Sequence, residues 1–346
     1  MNKATSYVQQ LDVDGRRLHA KLSVCGVSLL RGACGDLATV RARQAAYRVS
    51  PGSLMHREAA QLRTLAGPAA LRAVTLAGYA RGVLFTEPVA RPTLAELMTA
   101  EPGRTRELLG LVVTDVADGL ARDGVAAAIE RGQIRERGIA DTFARTFNGL
   151  LERMHLRQTG HADVLNGVVT RLRRARRAPT LPGGRGIVFG DLKPEHAVFP
   201  DTGAQRPVYL DPGLMRGHPV ADTAKLTSRT ALGLIARPPA PDAARMILTG
   251  LDSFVQACAR RLPAAERDAW LRERASLVLM DTTNILTTYL TAPPDLPLSA
   301  HATGVRDHAR EVTRLLDRAT TPLLTTGDGP TLRRLYLAHT RNALHA

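Results

Sequence analysis

The sequence predicts an α+β protein built from two lobes, a small β-rich lobe over residues 1–90 and a large, mainly helical lobe over residues 91–346. Three observations predict this fold class. Alternation of apolar and polar residues, which is typical of strands, begins close to the amino terminus, whereas helical periodicity dominates after residue 91. The third observation is the length of 346 residues, because one domain takes up roughly 100 to 200 residues.

The first two strands form a predicted hairpin. The segments YVQQLDV and RRLHAKLSV alternate on either side of Asp14-Gly15, a dipeptide that favours the tight turn of a hairpin. Lys21 lies on the second of these strands. A Gly-rich run from Gly26 to Gly35 and a polar stretch up to Pro51 follow, and we expect this segment to be a connection.

A helix and two short strands complete the small lobe. Ser53 is a suitable amino-terminal cap for the helix SLMHREAAQLRTLAG, and Gly67 is a suitable residue to end it. Strands are predicted at LRAVTLAGYA and GVLFTEPV. Thr93 and Glu96 then form a Thr-x-x-Glu capping box, which begins the next helix. The lobe boundary is therefore predicted near residue 90.

The large lobe is predicted to be helical with one short β-rich interruption. Helical patterns such as RELLGLVVTDVADGL and DTFARTFNGLLERM continue to about residue 178. The segments GIVFGD and AVFPDTGAQRPVYLDPG then predict strand, loop, strand and strand. Helical periodicity resumes over residues 221–346 and is broken by the Pro-rich stretch from Pro293 to Pro297.

The composition excludes several classes of protein. No apolar stretch approaches the roughly 20 residues of a membrane span, and the first residues contain no hydrophobic signal core. We therefore expect a soluble, cytoplasmic protein without membrane partners. The cysteines are Cys25, Cys34 and Cys258; their odd number and their spacing indicate neither a disulfide framework nor a zinc site.

The net charge of +15 raises nucleic acid as a partner. The run from Arg171 to Arg177 holds five arginines and is able to bind phosphate, although a solvated helix end is the favoured interpretation. Aromatic residues make up only 4% of the chain and do not alternate with that run, so a base-stacking surface is poorly supported. Nucleic acid binding is thus a distant alternative.

Lysine is rare among the basic residues. Of 47 Lys and Arg residues only four are lysines, namely Lys3, Lys21, Lys193 and Lys225. Where arginine is the default cation, a remaining lysine is a mild indication that the position requires a compact ammonium group. Three of the four lie close to the motifs that follow.

The most informative stretch is GIVFGDLKPEHAVFPDTGAQRPVYLDPGLM, residues 186–215. Asp191 begins the loop Asp-Leu-Lys-Pro-Glu-His, and Asp211 begins Asp-Pro-Gly twenty residues later. Phosphoryl transfer requires a carboxylate that orients the attacking hydroxyl, a second carboxylate that holds magnesium, and a cation that offsets the charge of the transferred group. The stretch supplies all three residue types.

These residues resemble the aminoglycoside phosphotransferase-like branch of the protein-kinase-like superfamily, with some likeness to macrolide phosphotransferases. That branch has a His-Gly-Asp-x-x-x-x-Asn loop followed by an Asp-x-x metal motif. The corresponding residues here are Phe189-Gly190-Asp191, His196 in the place of Asn, and Asp211-Pro212-Gly213. The resemblance implies a bilobal kinase fold in which residues 1–90 cover the nucleotide and residues 91–346 hold the catalytic loop, the metal site and the acceptor pocket.

The resemblance also implies roles for residues of the catalytic loop. Asp191 would be the catalytic base and Lys193 the contact to the γ-phosphate. Asp211 would be the chief Mg²⁺ ligand, with His196 as a second ligand. Because imidazole prefers softer metals than an amide oxygen does, His196 is expected to weaken that second contact to Mg²⁺.

Four residues of the small lobe would bind the nucleotide, which is ATP or GTP. Lys21 and Glu58 suit the ion pair that positions the α and β phosphates, although their spacing of 37 residues is long and little chain precedes Lys21. The cover over the phosphates is abbreviated, or the Gly26–Gly35 run replaces it, or Lys21 is not the pairing lysine. Backbone from Glu87 to Val89 would form the hinge that binds adenine.

In the large lobe, Asp222 resembles an aspartate that braces the catalytic loop, and Lys225 is expected to pair with it. The predicted function is ATP- or GTP-dependent phosphorylation of a hydroxyl group on a small molecule such as an antibiotic, a natural-product intermediate, a nucleoside or a sugar. A strongly polycationic acceptor does not suit a chain of this charge. Alternatives are a non-catalytic nucleotide-binding protein and, less favoured, a protein Ser/Thr kinase; a monomer or a homodimer is expected.

Overall fold

The computed structural model describes residues 2–3, 6–23, 37–66, 71–122, 124–131, 136–176, 181, 186–200, 206–292, 298–325 and 328–345. Among these residues, no helix has the length and apolar character needed to cross a bilayer. The Gly26–Gly35 run, Gly67, the Pro293–Pro297 stretch and two of the three cysteines lie outside the described residues, and Cys258 is a free thiol.

A five-stranded antiparallel sheet forms the amino-terminal part. Its spatial order is β1, β2, β3, β5 and β4. The strands are β1 Asn2–Lys3, β2 Ser6–Val13, β3 Arg16–Ser23, β4 Leu76–Ala80 and β5 Val83–Thr86. The predicted hairpin is confirmed: Asp14 and Gly15 have φ angles of 52° and 76°, as a tight turn between β2 and β3 requires. Lys21 is aligned with Leu84 of β5 in the middle of the sheet.

Among the described residues, two helices lie between β3 and β4 where one was predicted. They are α1 Leu37–Val49 and α2 Leu54–Leu65. Ser53 caps α2 as predicted, since its side chain accepts a hydrogen bond from the His56 amide. Helix α1 was not predicted, because its sequence was interpreted as part of a polar connection. It accounts for the long spacing between Lys21 and Glu58, because a whole helix is inserted between the strand and the helix that carry them.

The remainder of the chain is mainly helical, as predicted. The helices before the β-rich interruption are α3 Leu94–Ala100, α4 Thr105–Leu120, α5 Val125–Arg131, α6 Ile139–Thr146, α7 Leu150–Arg157 and α8 Ala162–Ala175. The later helices are α9 Val220–Ala236, α10 Pro241–Arg260, α11 Ala264–Leu290, α12 Ala300–Asp307, α13 Ala309–Thr320 and α14 Gly329–Leu344. The predicted capping box at the start of α3 is present, with reciprocal hydrogen bonds between Thr93 and Glu96.

Two small ribbons interrupt the helices and carry the predicted motifs. Their strands are β6 Gly186–Val188, β7 Ala197–Val198, β8 Val208–Tyr209 and β9 Met215–Gly217. Strand β6 pairs with β9 and β7 pairs with β8, both antiparallel. The predicted order of strand, loop, strand and strand is thus confirmed with one further strand. The pairing brings the loop after β6 next to the loop after β8.

The hydrophobic core has a large part in the helices and a smaller part beneath the sheet. Helices α9 and α11 lie in the centre of the large part, and most of their residues are buried. The smaller part packs α2 against the sheet through Met55, Leu62 and Leu84. Full burial of one such side chain contributes roughly 1.5 to 3 kcal/mol, so α2 and the sheet are held together firmly enough to fix the side chains between them.

Candidate active site

The loops that carry Asp191 and Asp211 touch through their backbones. The Gly213 amide donates a hydrogen bond of 3.0 Å to the Phe189 carbonyl. Gly190 has a φ angle of 77°, and a Cβ atom at this position would lie 2.2 Å from the Gly213 carbonyl oxygen. Only glycine accommodates both the dihedral angle and this approach. The Gly-Asp sequence therefore allows the second loop to lie directly against the first.

Lys21 joins the sheet, helix α2 and the Asp211 loop. Its Nζ atom lies 2.6 Å from Glu58 Oε2 and 2.8 Å from Asp211 Oδ1. The side chains of Lys21 and Glu58 are 9% and 4% exposed. Burial lowers the pKa of Lys21, but Asp211 and then Glu58 raise it by more, and the net shift is upward. The ammonium group therefore stays charged between two carboxylates.

Asp191 has a cation on each side of its carboxylate. Lys193 Nζ lies 2.6 Å from Oδ2, and Lys225 Nζ lies 3.4 Å from Oδ1. Burial raises the pKa of Asp191, but Lys193 and Lys225 lower it well below its usual range. The group is consequently an ionised carboxylate, which can accept a hydrogen bond from an approaching hydroxyl group.

His196 lies between the two aspartates. Its Nδ1 atom is 3.0 Å from the backbone carbonyl oxygen of Asp191, and its Nε2 atom is 3.4 Å from Asp211 Oδ2. Because a carbonyl oxygen only accepts hydrogen bonds, Nδ1 carries the proton, and in the neutral ring Nε2 presents its lone pair towards Asp211. The side chain is 3% exposed, so this orientation is fixed by packing.

These two groups fit a divalent cation. Within the described part of the chain there is no cluster of three or more His, Cys, Asp or Glu residues that could hold a metal. Mg²⁺ nevertheless binds proteins through one or two side chains and takes its remaining ligands from water and phosphate. A histidine whose second nitrogen donates to a backbone carbonyl is oriented as metal-ligating histidines usually are. Asp211 and His196 are thus the residues that can hold a metal.

Helix α9 holds the loop that follows β6 through hydrogen bonds to its backbone. The Asp222 carboxylate accepts hydrogen bonds from the amides of Phe189, at 2.9 Å, and Gly190, at 2.7 Å. Burial raises the pKa of Asp222 to about 6, although these two bonds oppose the shift. The predicted pairing of Lys225 with Asp222 is wrong: Lys225 reaches past Asp222 to Asp191 and to Asp281 on α11.

The predicted hinge segment follows β5. The Glu87 amide donates to the Thr75 carbonyl at 3.0 Å, and the Glu87 carboxylate pairs with Arg16 at 3.1 Å on the surface. Val89 is partly buried against the small part of the core. The Glu87 amide is therefore already used within the protein, and its role and that of Val89 in binding a base stay predictions.

Sequence reasoning missed Gln61, which contacts the Asp211 loop, and the group of Asp281, Arg229 and Ser228, which contacts Lys225. Gln61, on the same face of α2 as Glu58, accepts a hydrogen bond of 2.6 Å from the Leu214 amide just beyond Asp211. Asp281, in the apolar run of α11, is bonded to Arg229 and Ser228. A carboxylate within SLVLMDTTN is a recognisable signal, since a buried charge needs a partner. The sequence gives no signal for Gln61.

The rarity of lysine was informative. Three of the four lysines contact an aspartate of the two loops: Lys21 contacts Asp211, whereas Lys193 and Lys225 contact Asp191. A compact ammonium group with three donors can lie between carboxylates in a way that a planar guanidinium does not. The site is thus built from alternating carboxylates and ammonium groups.

A separate cavity of about 430 Å³ lies away from these loops, between α4 and α10. Arg106, Phe254 and Cys258 are among its lining residues, and none of the predicted site residues is. Its walls carry no pair of carboxylates and no lysine. The candidate active site is therefore defined by the converging loops and not by this cavity.

Comparison with known proteins identifies the fold. No known protein family and no curated protein sequence matches the chain. Among solved structures, amicoumacin kinase hAmiN in complex with AMP-PNP, Ca²⁺ and Ami is similar, with a TM-score of 0.50 at 12% sequence identity over 90% of this chain and 86% of that chain. An ethanolamine kinase from Plasmodium vivax has a TM-score of 0.51 at 10% identity over 89% and 80%. This chain has the protein-kinase-like fold.

The protein-kinase-like fold confirms the predicted α+β class. At these sequence identities the likeness concerns the fold alone and assigns no substrate or residue role. The lobe boundary near residue 90 stays a prediction. Lys21 joins Glu58 to Asp211, and His196 lies between Asp211 and Asp191, so these predicted residues form one cluster.

Proposed function

We propose that the protein is an ATP- or GTP-dependent phosphotransferase that phosphorylates a hydroxyl group of a small molecule. Asp191 is the base that accepts a hydrogen bond from the hydroxyl group, and Lys193 contacts the γ-phosphate. Asp211 and His196 hold Mg²⁺, Lys21 and Glu58 position the nucleotide phosphates, and the backbone from Glu87 to Val89 binds the base.

The observation that carries this proposal is the position of His196 between the two aspartates. One ring contacts the Asp191 carbonyl at 3.0 Å and the Asp211 carboxylate at 3.4 Å. Nδ1 also lies 3.9 Å from the Asp191 carboxylate, so a single imidazole ring separates the proposed base, Asp191, from the proposed metal ligand, Asp211. Phosphoryl transfer needs the nucleophile to lie this close to the metal-bound phosphate. When bound, Mg²⁺ would offset charge on the phosphate oxygens.

The two structural neighbours are consistent with this class of reaction. One is an amicoumacin kinase solved with AMP-PNP and Ca²⁺, and the other is an ethanolamine kinase. Both are kinases whose names specify small molecules. This supports a small-molecule acceptor over a protein acceptor, as does the Gly190-Asp191 pair in place of the Arg-Asp of protein kinases.

The charges around Asp191 support an acceptor that is not strongly polycationic. Lys193, Lys225 and Arg229 all act electrostatically on Asp191, and the whole chain carries a net charge of +15. A polycationic aminoglycoside would be repelled by this environment. A neutral, singly charged or anionic alcohol suits it better, which includes macrolides, nucleosides and sugars.

The proposal is tested by phosphate transfer with the purified protein. Mg²⁺ and ATP or GTP are supplied with a panel of neutral, anionic and polycationic alcohols, and phosphorylated product is measured by mass spectrometry. We expect product from a neutral or anionic alcohol. The variant Asp191→Asn should lose transfer by roughly 10²- to 10⁴-fold and keep its affinity for the magnesium nucleotide.

Asp242→Asn is the matched control, because Asp242 is exposed on α10 and pairs only with Arg245 among the described residues. It should behave as the wild type. If wild type and Asp191→Asn turn over ATP equally poorly with every acceptor, and both bind the magnesium nucleotide, the protein is instead a non-catalytic nucleotide-binding member of the fold. His196 in the place of an asparagine is the observation that favours this second candidate.

A further inference from the structure

Lys225 reaches the catalytic loop from a helix that is remote from it in sequence. It lies on α9, one turn after Asp222, and its side chain is 12% exposed. The Nζ atom is 3.4 Å from Asp191 Oδ1 and 3.0 Å from Asp281 Oδ1. The side chain therefore connects the carboxylate at the reacting centre to a buried carboxylate on α11.

Asp281 provides a rigid anchor for this lysine. Its carboxylate is 4% exposed and accepts bonds from Ser228 Oγ at 2.5 Å and from Arg229 Nε and Nη2 at 2.8 and 3.2 Å. Burial raises the pKa of Asp281, but Arg229 and Lys225 lower it below its usual range. The carboxylate thus stays ionised and is fixed in one orientation by side chains of α9.

The charge of Asp281 is neutralised without Lys225. Arg229 already forms a bidentate pair with Asp281, which satisfies charge and geometry together. If Lys225 were only a structural partner of Asp281, it would add a second cation to a carboxylate that is already paired, at the expense of desolvating its ammonium group. Its second contact, with Asp191, accounts for its presence.

We propose that Lys225 is a positioning residue, which together with Lys193 holds the Asp191 carboxylate in the orientation that receives the acceptor hydroxyl group. The inference rests on the proposed function. Lys193 binds Oδ2 and Lys225 binds Oδ1, so rotation of the carboxylate about its Cβ–Cγ bond would break a contact on either side. Each oxygen has two acceptor positions, and one of them stays available to a hydroxyl group.

Helix α9 therefore holds both the backbone and the reacting side chain of the loop. Asp222 holds the backbone of Phe189 and Gly190 through two hydrogen bonds, and Lys225 holds the side chain of Asp191. Both lie on one face of α9, three residues apart, since residues at this spacing are neighbours on a helix surface. The backbone of the loop and the side chain of Asp191 are consequently both held by α9.

The test compares Lys225→Met, Lys225→Arg and Thr105→Ala in ATP turnover, with water or the identified alcohol as acceptor. We expect Lys225→Met to lower kcat by roughly 10- to 100-fold, the usual loss when a group that orients a reacting side chain is removed, with KM for ATP unchanged. Lys225→Arg retains a cation and should restore part of kcat. Thr105→Ala removes a buried hydrogen bond to the Pro102 carbonyl at the start of α4, away from the two loops, so kcat should be unchanged even where the melting temperature falls.

The inference is overturned if Lys225→Met keeps the wild-type kcat, or if Thr105→Ala lowers kcat as much as Lys225→Met does at an equal loss of melting temperature. Arg245→Met, which breaks an exposed ion pair on α10, is the matched control for loss of a cation. If the wild type itself turns over no ATP, the proposed function fails, and crystal structures then decide the inference separately. The Asp191 carboxylate should rotate in Lys225→Met, and an unchanged carboxylate would overturn the inference.

Discussion

The imidazole of His196 faces the carboxylate of Asp211 with its Nε2 atom 3.4 Å from Oδ2. The opposite ring nitrogen donates to the backbone of Asp191, so the ring cannot turn without breaking that bond. The lone pair of Nε2 and the carboxylate oxygen of Asp211 therefore face each other. This arrangement requires either a proton or a cation between them, and the proposed function assigns a cation.

The first prediction follows from the chemistry of that donor pair. Replacing His196 by Asn substitutes a hard amide oxygen for an imidazole, which should favour Mg²⁺ over softer ions. We expect the affinity for Mn²⁺ relative to Mg²⁺ to fall by roughly tenfold in His196→Asn. Mn²⁺ binding in the presence of a non-hydrolysable nucleotide can be measured by electron paramagnetic resonance, which does not depend on turnover.

His308→Asn is a suitable control, because the His308 ring is bonded to the Gly304 carbonyl in α12 and lies outside the site. It should leave the Mn²⁺ affinity unchanged. An unchanged preference in His196→Asn would mean that the imidazole is not a metal ligand and that its role is to hold the two loops apart.

The second prediction concerns the ion pair of Lys21 and Glu58, whose side chains are almost completely buried. Removing one member of a buried pair leaves an uncompensated charge and destabilises by about 3 to 5 kcal/mol. Lys21→Met should therefore lower the free energy of unfolding by that amount, measured by urea denaturation. Arg245→Met, which breaks an exposed pair, should change it by less than about 1 kcal/mol.

The double variant Lys21→Met/Glu58→Leu separates stability from function. Replacing both members by apolar residues removes the uncompensated Glu58 charge and restores part of the lost stability, although Asp211 still lacks its ammonium partner. Nucleotide binding should stay weak because the ammonium group is absent. Recovery of nucleotide affinity together with stability would show that Lys21 does not contact the phosphates. The measurement is calorimetric titration with the magnesium nucleotide.

The sequence predicted the two acidic loops and the hairpin because each depends on short-range patterns. Asp14-Gly15 specifies a turn, and the strands flanking Asp191 and Asp211 lie within residues 186–217. Helix α1 was missed because its sequence was interpreted as part of a polar connection. The Lys225–Asp281 contact joins positions 56 residues apart on two packed helices, and no local pattern specifies which helices become neighbours or which residues on them meet.

The third prediction concerns Gly190. A Cβ atom there would lie 2.2 Å from the Gly213 carbonyl oxygen, at a φ angle of 77°. The contact is with backbone, so Gly190→Ala must separate the two loops or strain the chain. We expect a lower melting temperature and a large loss of phosphate transfer, because Asp191 and Asp211 are moved apart. Thermal unfolding and product formation are measured side by side.

Gly233→Ala is the matched control. Gly233 lies in α9, and a Cβ atom there would have no neighbour within 4 Å. Alanine is favoured over glycine in a helix interior by up to about 1 kcal/mol, so this variant should be slightly more stable than the wild type and equally active. If Gly190→Ala were as active as Gly233→Ala, the close approach of the loops would not matter to the reaction.

The last prediction concerns Asp222 and the dependence of stability on pH. Burial raises the pKa of this carboxyl group from its ordinary value of 3.8 to about 6. Between about pH 4 and pH 6 the folded protein holds this proton more tightly than the unfolded chain does. The free energy of unfolding should therefore rise as pH falls from 6 to 4. The contribution of Asp222 is on the order of 3 kcal/mol, and it is lost as pH rises through about 6.

Asp222→Asn removes this titration, so the comparison isolates it. Histidines titrate alike in both proteins, and the pKa values of Asp191 and Asp281 are lowered, so these two groups contribute only below about pH 4. The variant is less stable at every pH, because an amide group then faces one of the two loop amides. The stability difference between wild type and variant should widen as pH falls from 6 to 4. A constant difference would mean that the two loop hydrogen bonds outweigh burial and keep Asp222 ionised.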